Sequence, residues 1–408
     1  MPVSTGYSVV KFFSLENTDL EIENWAKAVG SDLRGAPTFG LLFASIECLH
    51  RIQEISEILQ IYGRIPHLIG CSSNGVIAES REIENEPGIS VALYYLPETR
   101  ARAIHIPEQT FQSPQTARNL KRLLGAGHSQ ANSWILFGAS ESVSDESWLQ
   151  DWDKATGQAV TIGGFAGVAP ETLHSALFIN GKIKDEGAVA LSLEGEVHIE
   201  PLISQGCRPV GSPWTVTQAQ KNIIHKIGNR PILEVLRDTL EGMSRADQQQ
   251  ARGNIFIGLV LDEYKASFGT GDFLVRNLAA IDPQSGAVAI ATPLRVGQNL
   301  QFQIRDALTA SIDFEQLLKQ KAKDLKDVEV LGSCLCDCIG RGCSLYGVPD
   351  HDISMIHSIF PELPVCGLFC NGEFATQKNR TLLHGYAASL GLFVRERKST
   401  ELAVIPQS

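Results

Sequence analysis

Apolar and polar positions along this chain come in short bursts, and the bursts return in a recognisable order. Thr18-Asp19-Leu20-Glu21 reads as a capping box, and behind it Ile22, Trp25, Ala26, Val29 and Leu33 share one helical face. Phe39–Ser45 has the pattern of a short buried strand, and Ile52, Ile55, Leu59 and Tyr62 then mark the inner stripe of a second helix. Pro66 ends that helix and opens a strand that runs through Gly70-Cys71-Ser72-Ser73 to Asn74-Gly75. Ile89–Leu96 predicts another strand, with Arg102–Ile106 expected to pair beside it.

The same order then recurs in looser form. Trp134–Ser140 resembles Leu41–Ser45 in character, and Val160–Gly167 is again a strand running into glycines. Asn180-Gly181 predicts a type I′ hairpin, since both residues accept positive φ. Near the end of the chain Pro364-Val365-Cys366-Gly367-Leu368-Phe369-Cys370-Asn371-Gly372-Glu373 repeats the first strand-turn: a proline, a short apolar run, a glycine, and Asn-Gly four residues later. Such internal echoes fix architecture before any motif does. Between the copies, Trp214, Ala219, Ile223, Ile224 and Ile227 suggest a helix ended by Gly228, and another helix follows Pro231. Strands are expected at Asn254–Leu261, Phe273–Ile281, Ala287–Ala291 and Val328–Cys338. Helices are expected from about Asp313 and at Asp352–Phe360, and Leu382–Val394 reads as one closing strand. The pattern predicts an α/β protein of two domains, with mixed sheets built from loosely repeated strand-helix-strand units. The breaker-dense run Gly206–Pro213 is the expected boundary, giving domains 1–210 and 211–408.

Composition narrows the function classes. A chain of 408 residues exceeds one ordinary core. Its 35 basic and 46 acidic residues give a net charge of −11, which disfavours a nucleic-acid partner. No apolar run is long enough for a membrane span. Nine cysteines, an odd number without a leader pattern, argue for reduced thiols and a cytoplasmic location.

Four stretches carry a family resemblance: Ile69-Gly70-Cys71-Ser72 with Gly75; Gly163-Gly164-Phe165-Ala166-Gly167; Arg208-Pro209 followed by Trp214-Thr215-Val216-Thr217; and Arg341-Gly342 with Gly367 and Gly372-Glu373. In this order and spacing, over roughly residues 35 to 390, the chain resembles the FIST family, an N-terminal FIST domain followed by its C-terminal partner. The resemblance implies a sensory module that binds a small ligand, with amino acids favoured. No F-box and no signalling output segment accompanies it here, so an unidentified signalling partner, or oligomerisation, is expected to supply the output.

The candidate ligand site is the pair of strand-turns. Glycine lets a ligand approach the backbone closely, and Asn offers both donor and acceptor. Gly70, Ser72, Ser73, Asn74 and Gly75 from the first turn, and Gly367, Asn371 and Gly372 from the second, are therefore expected to line a cleft between the domains. Arg341 would hold the carboxylate of an amino acid and Glu373 its ammonium; the competing reading of Arg341 is a structural ion pair, and Arg208 is expected to be structural. Two other chemistries are open on the residues alone. Cys71 or Cys370, each beside a glycine-rich turn, could serve as a catalytic nucleophile if a histidine stood by. Cys334, Cys336 and Cys338 alternate on one strand face and could ligate a soft metal, but an extended strand lacks the tight turn of a zinc knuckle. Gly163–Gly167 departs from the dinucleotide-binding spacing, and no cofactor is expected. A protein-interaction adaptor is the remaining alternative.

Overall fold

The computed structural model of the chain describes residues 6–143, 146–168 and 174–397. The fold is α/β with mixed sheets, and it divides into two compact units, one of residues 1–203 with 317–408 and one of residues 204–316. The chain opens the first unit with β1 (Ser8–Ser14), β2 (Phe39–Ser45), β3 (Leu68–Ser73), a short hairpin of β4 (Val76–Ala78) and β5 (Arg81–Ile83), and β6 (Gly88–Tyr94). It then runs the same series again: β7 (Thr99–Ile106), β8 (Ser133–Gly138), β9 (Val160–Phe165), the hairpin β10 (Leu177–Ile179) and β11 (Lys182–Lys184), and β12 (Ala188–Gly195). A third series begins with β13 (His198–Ser204).

The second unit interrupts that third series. Its strands are β14 (Cys207–Gln220), β15 (Ile223–Ile227), β16 (Arg230–Pro231), β17 (Ile255–Val260), β18 (Phe273–Asp282), β19 (Ala287–Ile290) and β20 (Asn299–Arg305). They form one antiparallel sheet in the order β14-β20-β17-β18-β19-β15-β16, closed on itself because β14 also pairs with β15. Val216, Ile224, Ile227, Ile257, Phe302 and Ile304 fill its interior. The helix expected over 214–228 is therefore a β-hairpin. Its apolar residues satisfy a helical spacing only loosely, and the β-branched Thr215 and Val216 found ladder partners in Asn299 and Ile227. Of the breakers at Gly206–Pro213, all but Gly206 lie within β14. Gly211, at φ +67°, occupies the irregular stretch between the Val210 and Trp214 pairings, as breakers do at a bulge. The helix expected from Asp313 is longer, Ala307–Asp324, and Asp306 accepts the Thr309 N–H at 2.8 Å before it.

The third series then resumes with β21 (Val328–Cys338), β22 (Val365–Cys370), the hairpin β23 (Glu373–Gln377) and β24 (Arg380–His384), and β25 (Ala388–Glu396). The single closing strand expected at Leu382–Val394 is thus two strands, parted where Tyr386 takes φ +62°. Three six-stranded sheets result, ordered β1-β6-β2-β3-β10-β11, β7-β12-β8-β9-β23-β24 and β13-β25-β21-β22-β4-β5. Each contains four strands of its own series and a hairpin from another. The first series lends its hairpin to the third sheet, the third to the second, and the second to the first, which closes a ring of exchanges. Arg102–Ile106 consequently does not pair beside β6; it belongs to β7, the opening strand of the second series, and pairs with β12.

The register is the same in every sheet. The parallel pairs place Leu42 opposite Gly70, Leu136 opposite Gly163 and Leu335 opposite Gly367. The borrowed hairpins place Phe178, Phe374 and Ile77 against those same glycines. A Cβ on Gly70, Gly163 or Gly367 would fall 1.7, 1.8 or 2.1 Å from the carbonyl oxygen of the facing leucine, so close backbone approach requires glycine there. One face of each sheet contributes to a common core that includes Phe43, Cys71, Phe137, Cys336, Leu368 and Phe393. In the first two series the opposite face is covered by helices: Ile22, Ala26, Ile55 and Leu59 pack on the first sheet, and Leu120, Trp148 and Trp152 on the second. The Thr18–Glu21 capping box forms as expected. Tyr62, expected inside, is 38% exposed, its ring lying 4.6 Å from the Lys27 ammonium.

Candidate functional site

The strand-turns meet at the C-terminal ends of β3, β9 and β22, the end of parallel strands where ligands bind in α/β layers. The turns after β3 and β22 close no hairpin, and each carries the chain from one sheet into the next; β9 and β10 likewise belong to different sheets. Asn180-Gly181, by contrast, is a true hairpin turn, with φ of +48° and +75°. The turns are stitched to one another by their backbones. Ser72 Oγ donates to Gly167 O at 2.5 Å, and Gly167 N donates to Ser72 O at 2.7 Å. Ser73 Oγ donates to Phe369 O at 3.1 Å, Phe369 N to Gly75 O at 2.8 Å, and Asn74 N to Phe369 O at 3.3 Å. Phe165 N donates to Gly372 O at 2.9 Å. Gly70, Ser72, Ser73, Gly75, Gly367 and Gly372 are buried in this seam, whereas Asn74 and Asn371 are exposed on it. Neither asparagine side chain makes a hydrogen bond among the described residues. The seam lies wholly within the first unit.

Glu373 starts the hairpin that leaves the seam, and it is fully buried. Its carboxyl accepts the Gly372 N–H at 3.2 Å and the Ala387 N–H at 3.1 Å, with Cys370 Sγ 3.7 Å away. Burial pushes its pKa up to about 8, against the lowering effect of those N–H donors. Near neutral pH this is a protonated acid holding backbone, not a free anion awaiting an ammonium group.

Arg341 is equally enclosed. Its Nε lies 2.7 Å from Asp352 Oδ2 and 3.0 Å from Asp337 Oδ1, and its Nη2 donates to Tyr346 Oη at 2.6 Å. Burial favours neutral forms throughout this group, and the responses differ. Asp352, despite its burial, is held well below the usual carboxylate range by Arg341 and His351. Asp337 is pushed well above it by burial and by the Asp352 charge. Glu82, which accepts the Ile353 N–H at 2.7 Å, rises to about 7 from burial and Asp352. Arg341 thus occupies a structural ion network, and no bond links it to Glu373. Arg208 is likewise paired, to Asp306 at 3.0 Å and to Asp247. The carboxylate partners of Arg341 escaped the sequence reading, although Asp337, four residues before Arg341 and out of phase with the cysteines, was the available signal.

The thiols are placed against catalysis. Cys71 and Cys370 are fully buried, and burial pushes both well above the ordinary thiol pKa, the opposite of an activated nucleophile. Cys334, Cys336 and Cys338 alternate along β21; Cys334 and Cys336 are turned into the apolar core, Cys338 is buried beside Glu373, and among the described residues no cluster of three His, Cys, Asp or Glu side chains is disposed to hold a metal. No described helix is long and apolar enough to cross a membrane.

Comparison with known proteins gives the family. The FIST N domain model matches residues 38–230 and the FIST C domain model matches residues 233–376. An uncharacterized protein of Mycobacterium tuberculosis (strain H37Rv) is 32% identical over 369 residues, covering 88% of this chain and 92% of the relative. Another, from Mycobacterium bovis, is 31% identical over 376 residues, covering 88% and 91%.

Proposed function

Because the chain belongs to the FIST family, whose domains are sensory ligand-binding modules, we propose that it senses a small polar metabolite, an amino acid in the first instance, at the strand-turn seam. The observation that carries this reading is the pair of exposed amides, Asn74 and Asn371, on an otherwise buried seam that links the sheets. An amide presents donor and acceptor together, which suits the carboxylate and the ammonium of a zwitterion alike. The neighbouring glycines give such a ligand room to reach backbone groups. Glu373 enters this proposal as a group that holds the backbone of the second turn, and Arg341 as part of a separate buried ion network, not as a clamp on the ligand.

The seam is also where binding would matter mechanically. Each turn ends a strand in one sheet and begins a hairpin in another, so a ligand bridging Asn74 and Asn371 ties two exchanged hairpins together. Its binding energy adds to the stability of the ring of exchanges, about 2.7 kcal/mol at a hundredfold excess over Kd. A signalling partner in the cytoplasm would read the tightened state; the nine free thiols suit that reducing compartment.

A thermal-shift screen across the twenty amino acids tests the reading. The expected outcome is a saturable rise of a few degrees for one or a few of them. Asn74→Ala and Asn371→Ala should abolish the rise while leaving the ligand-free midpoint nearly unchanged, since both side chains are exposed. No saturable shift, or a shift that survives both substitutions, would overturn it.

A further inference from the structure

At the opposite end of β3 from the seam, a cleft of about 660 Å³ opens between the start of β3 and the edge strand β7. Arg100 and Arg102 of β7, His67 just ahead of β3, and His128 all line it, and no lining residue is a carboxylate. In a chain of net charge −11, this is a local reversal of sign. Arg100 and Arg102, two apart on a strand and so on one face, make no ion pair among the described residues. His67 Nδ1 is buried without a hydrogen-bond partner there. His128 is held in place, its Nδ1 2.7 Å from Ser192 Oγ and its ring stacked on Trp134 at 5.2 Å. Thr38 and Thr99 also line the cleft, but their hydroxyls are engaged with Leu96 and with Pro97 and Val197.

We infer that this cleft is an anion site for a phosphate group, free or carried on a small metabolite, with Arg100 and Arg102 as its charged donors and His67 and His128 as its proton-adjustable ones. Converging like charges repel one another until an anion sits among them. Guanidinium groups match phosphate oxygens in geometry as well as charge. The cleft has the volume of a small-molecule pocket and exceeds what a bare phosphate needs. An extended polyanion is the poorer fit, since the rest of the surface carries the opposite average charge. Burial and the Arg102 charge lower the pKa of both histidines, with His67 adding to the effect on His128 and Glu194 opposing it. Glu194 faces Arg100 across the β7–β12 ladder and, with Glu98, lines a neighbouring cleft that Arg100 also borders, so Arg102 is the donor set apart from carboxylates. A bound dianion favours the protonated imidazoles, so binding takes up protons and tightens as pH falls.

Calorimetric titration of the full chain tests the site. Inorganic phosphate at pH 7 should bind saturably, a sugar phosphate more tightly, and chloride at matched ionic strength not at all. Arg102→Ala should weaken phosphate binding by about tenfold or more, and Arg100→Ala serves as a second variant. The unliganded midpoints of both should be unchanged or raised, because like-charge repulsion is relieved. Sulfate, a dianion throughout the range, should bind more tightly at pH 6 than at pH 8, and His67→Gln should flatten that slope. The inference is overturned if phosphate gives no saturable heat, if chloride matches it, or if both arginine variants keep wild-type affinity. A sugar phosphate no tighter than phosphate itself would assign the site to the free ion. Asn74→Ala should leave phosphate binding intact, so failure here and failure at the seam remain distinguishable.

Discussion

Glu373 holds a carboxyl where its counterparts hold hydrocarbon. The register that sets Phe374, Ile77 and Phe178 against equivalent glycines makes Val76 and Leu177 the residues equivalent to Glu373. Its cost and its use therefore belong to the third series alone. The folded-state pKa of about 8 lies above the ordinary carboxyl value of 4.5, so the stability it contributes is complete below about pH 4.5. That stability is lost as pH rises toward 8, because the unfolded chain ionises first. Glu82, raised to about 7, works in the same direction. Thermal unfolding followed from pH 5 to pH 8.5 should show a falling midpoint. Glu373→Gln, which cannot ionise, should start below wild type, since the amide has one acceptor for two N–H groups, and the gap should narrow as pH rises. A gap that stays constant with pH would remove Glu373 from the titration. The acid was visible in the sequence as the odd residue after a repeated turn. Its burial was not, because nothing local says that Ala387, fourteen residues on, donates to it.

Elements were legible in proportion to how far local pattern and tertiary demand agreed. Val328–Cys338 and the capping box at Thr18 come out as read, since buried strands and helix starts are written in contiguous residues. The hairpin at 207–227 was misread because barrel closure outweighed a weak helical spacing. The glycines carry the clearest element-scale prediction. Gly70→Ala places a Cβ 1.7 Å from Leu42 O and must pry β2 from β3. The expected loss is on the order of 2–4 kcal/mol, read as a lower urea midpoint. Gly30→Ala, with nothing within 4 Å of its new Cβ, should change the midpoint little. Equal effects of the two substitutions would show that strand contact is not what Gly70 protects.

At the scale of the whole molecule, the ring of hairpin exchanges decides which pieces can stand alone. A fragment of residues 1–203 keeps β4 and β5 but loses β22, the strand that β4 pairs with, and loses β23, the strand that pairs with β9. It is expected to lack cooperative unfolding and near-ultraviolet dichroism. Residues 204–316 form a closed barrel with its own core and are expected to fold as an isolated domain. A well-folded 1–203 fragment would contradict the exchange. The breakers of Gly206–Pro213 suggest a boundary at 210, but the chain passes between the units at 203–204 and again at 316–317, and neither passage has a local signature.

By itself the sequence determined that strand-helix-strand units recur, that glycines end the key strands, that the chain is FIST-like, and that its cysteines sit in apolar runs. These are properties of contiguous residues and of their spacing. Tertiary structure alone decided that the echoes form a threefold series interrupted by a barrel, that Arg341 and Glu373 are sealed from solvent, and that His67, His128, Arg100 and Arg102 line one cleft at the far end of β3. The reason is that hairpin exchange and side-chain burial depend on partners tens to hundreds of residues away. Pairing over such separations is chosen by the closing of the common core, not by any one stretch of chain.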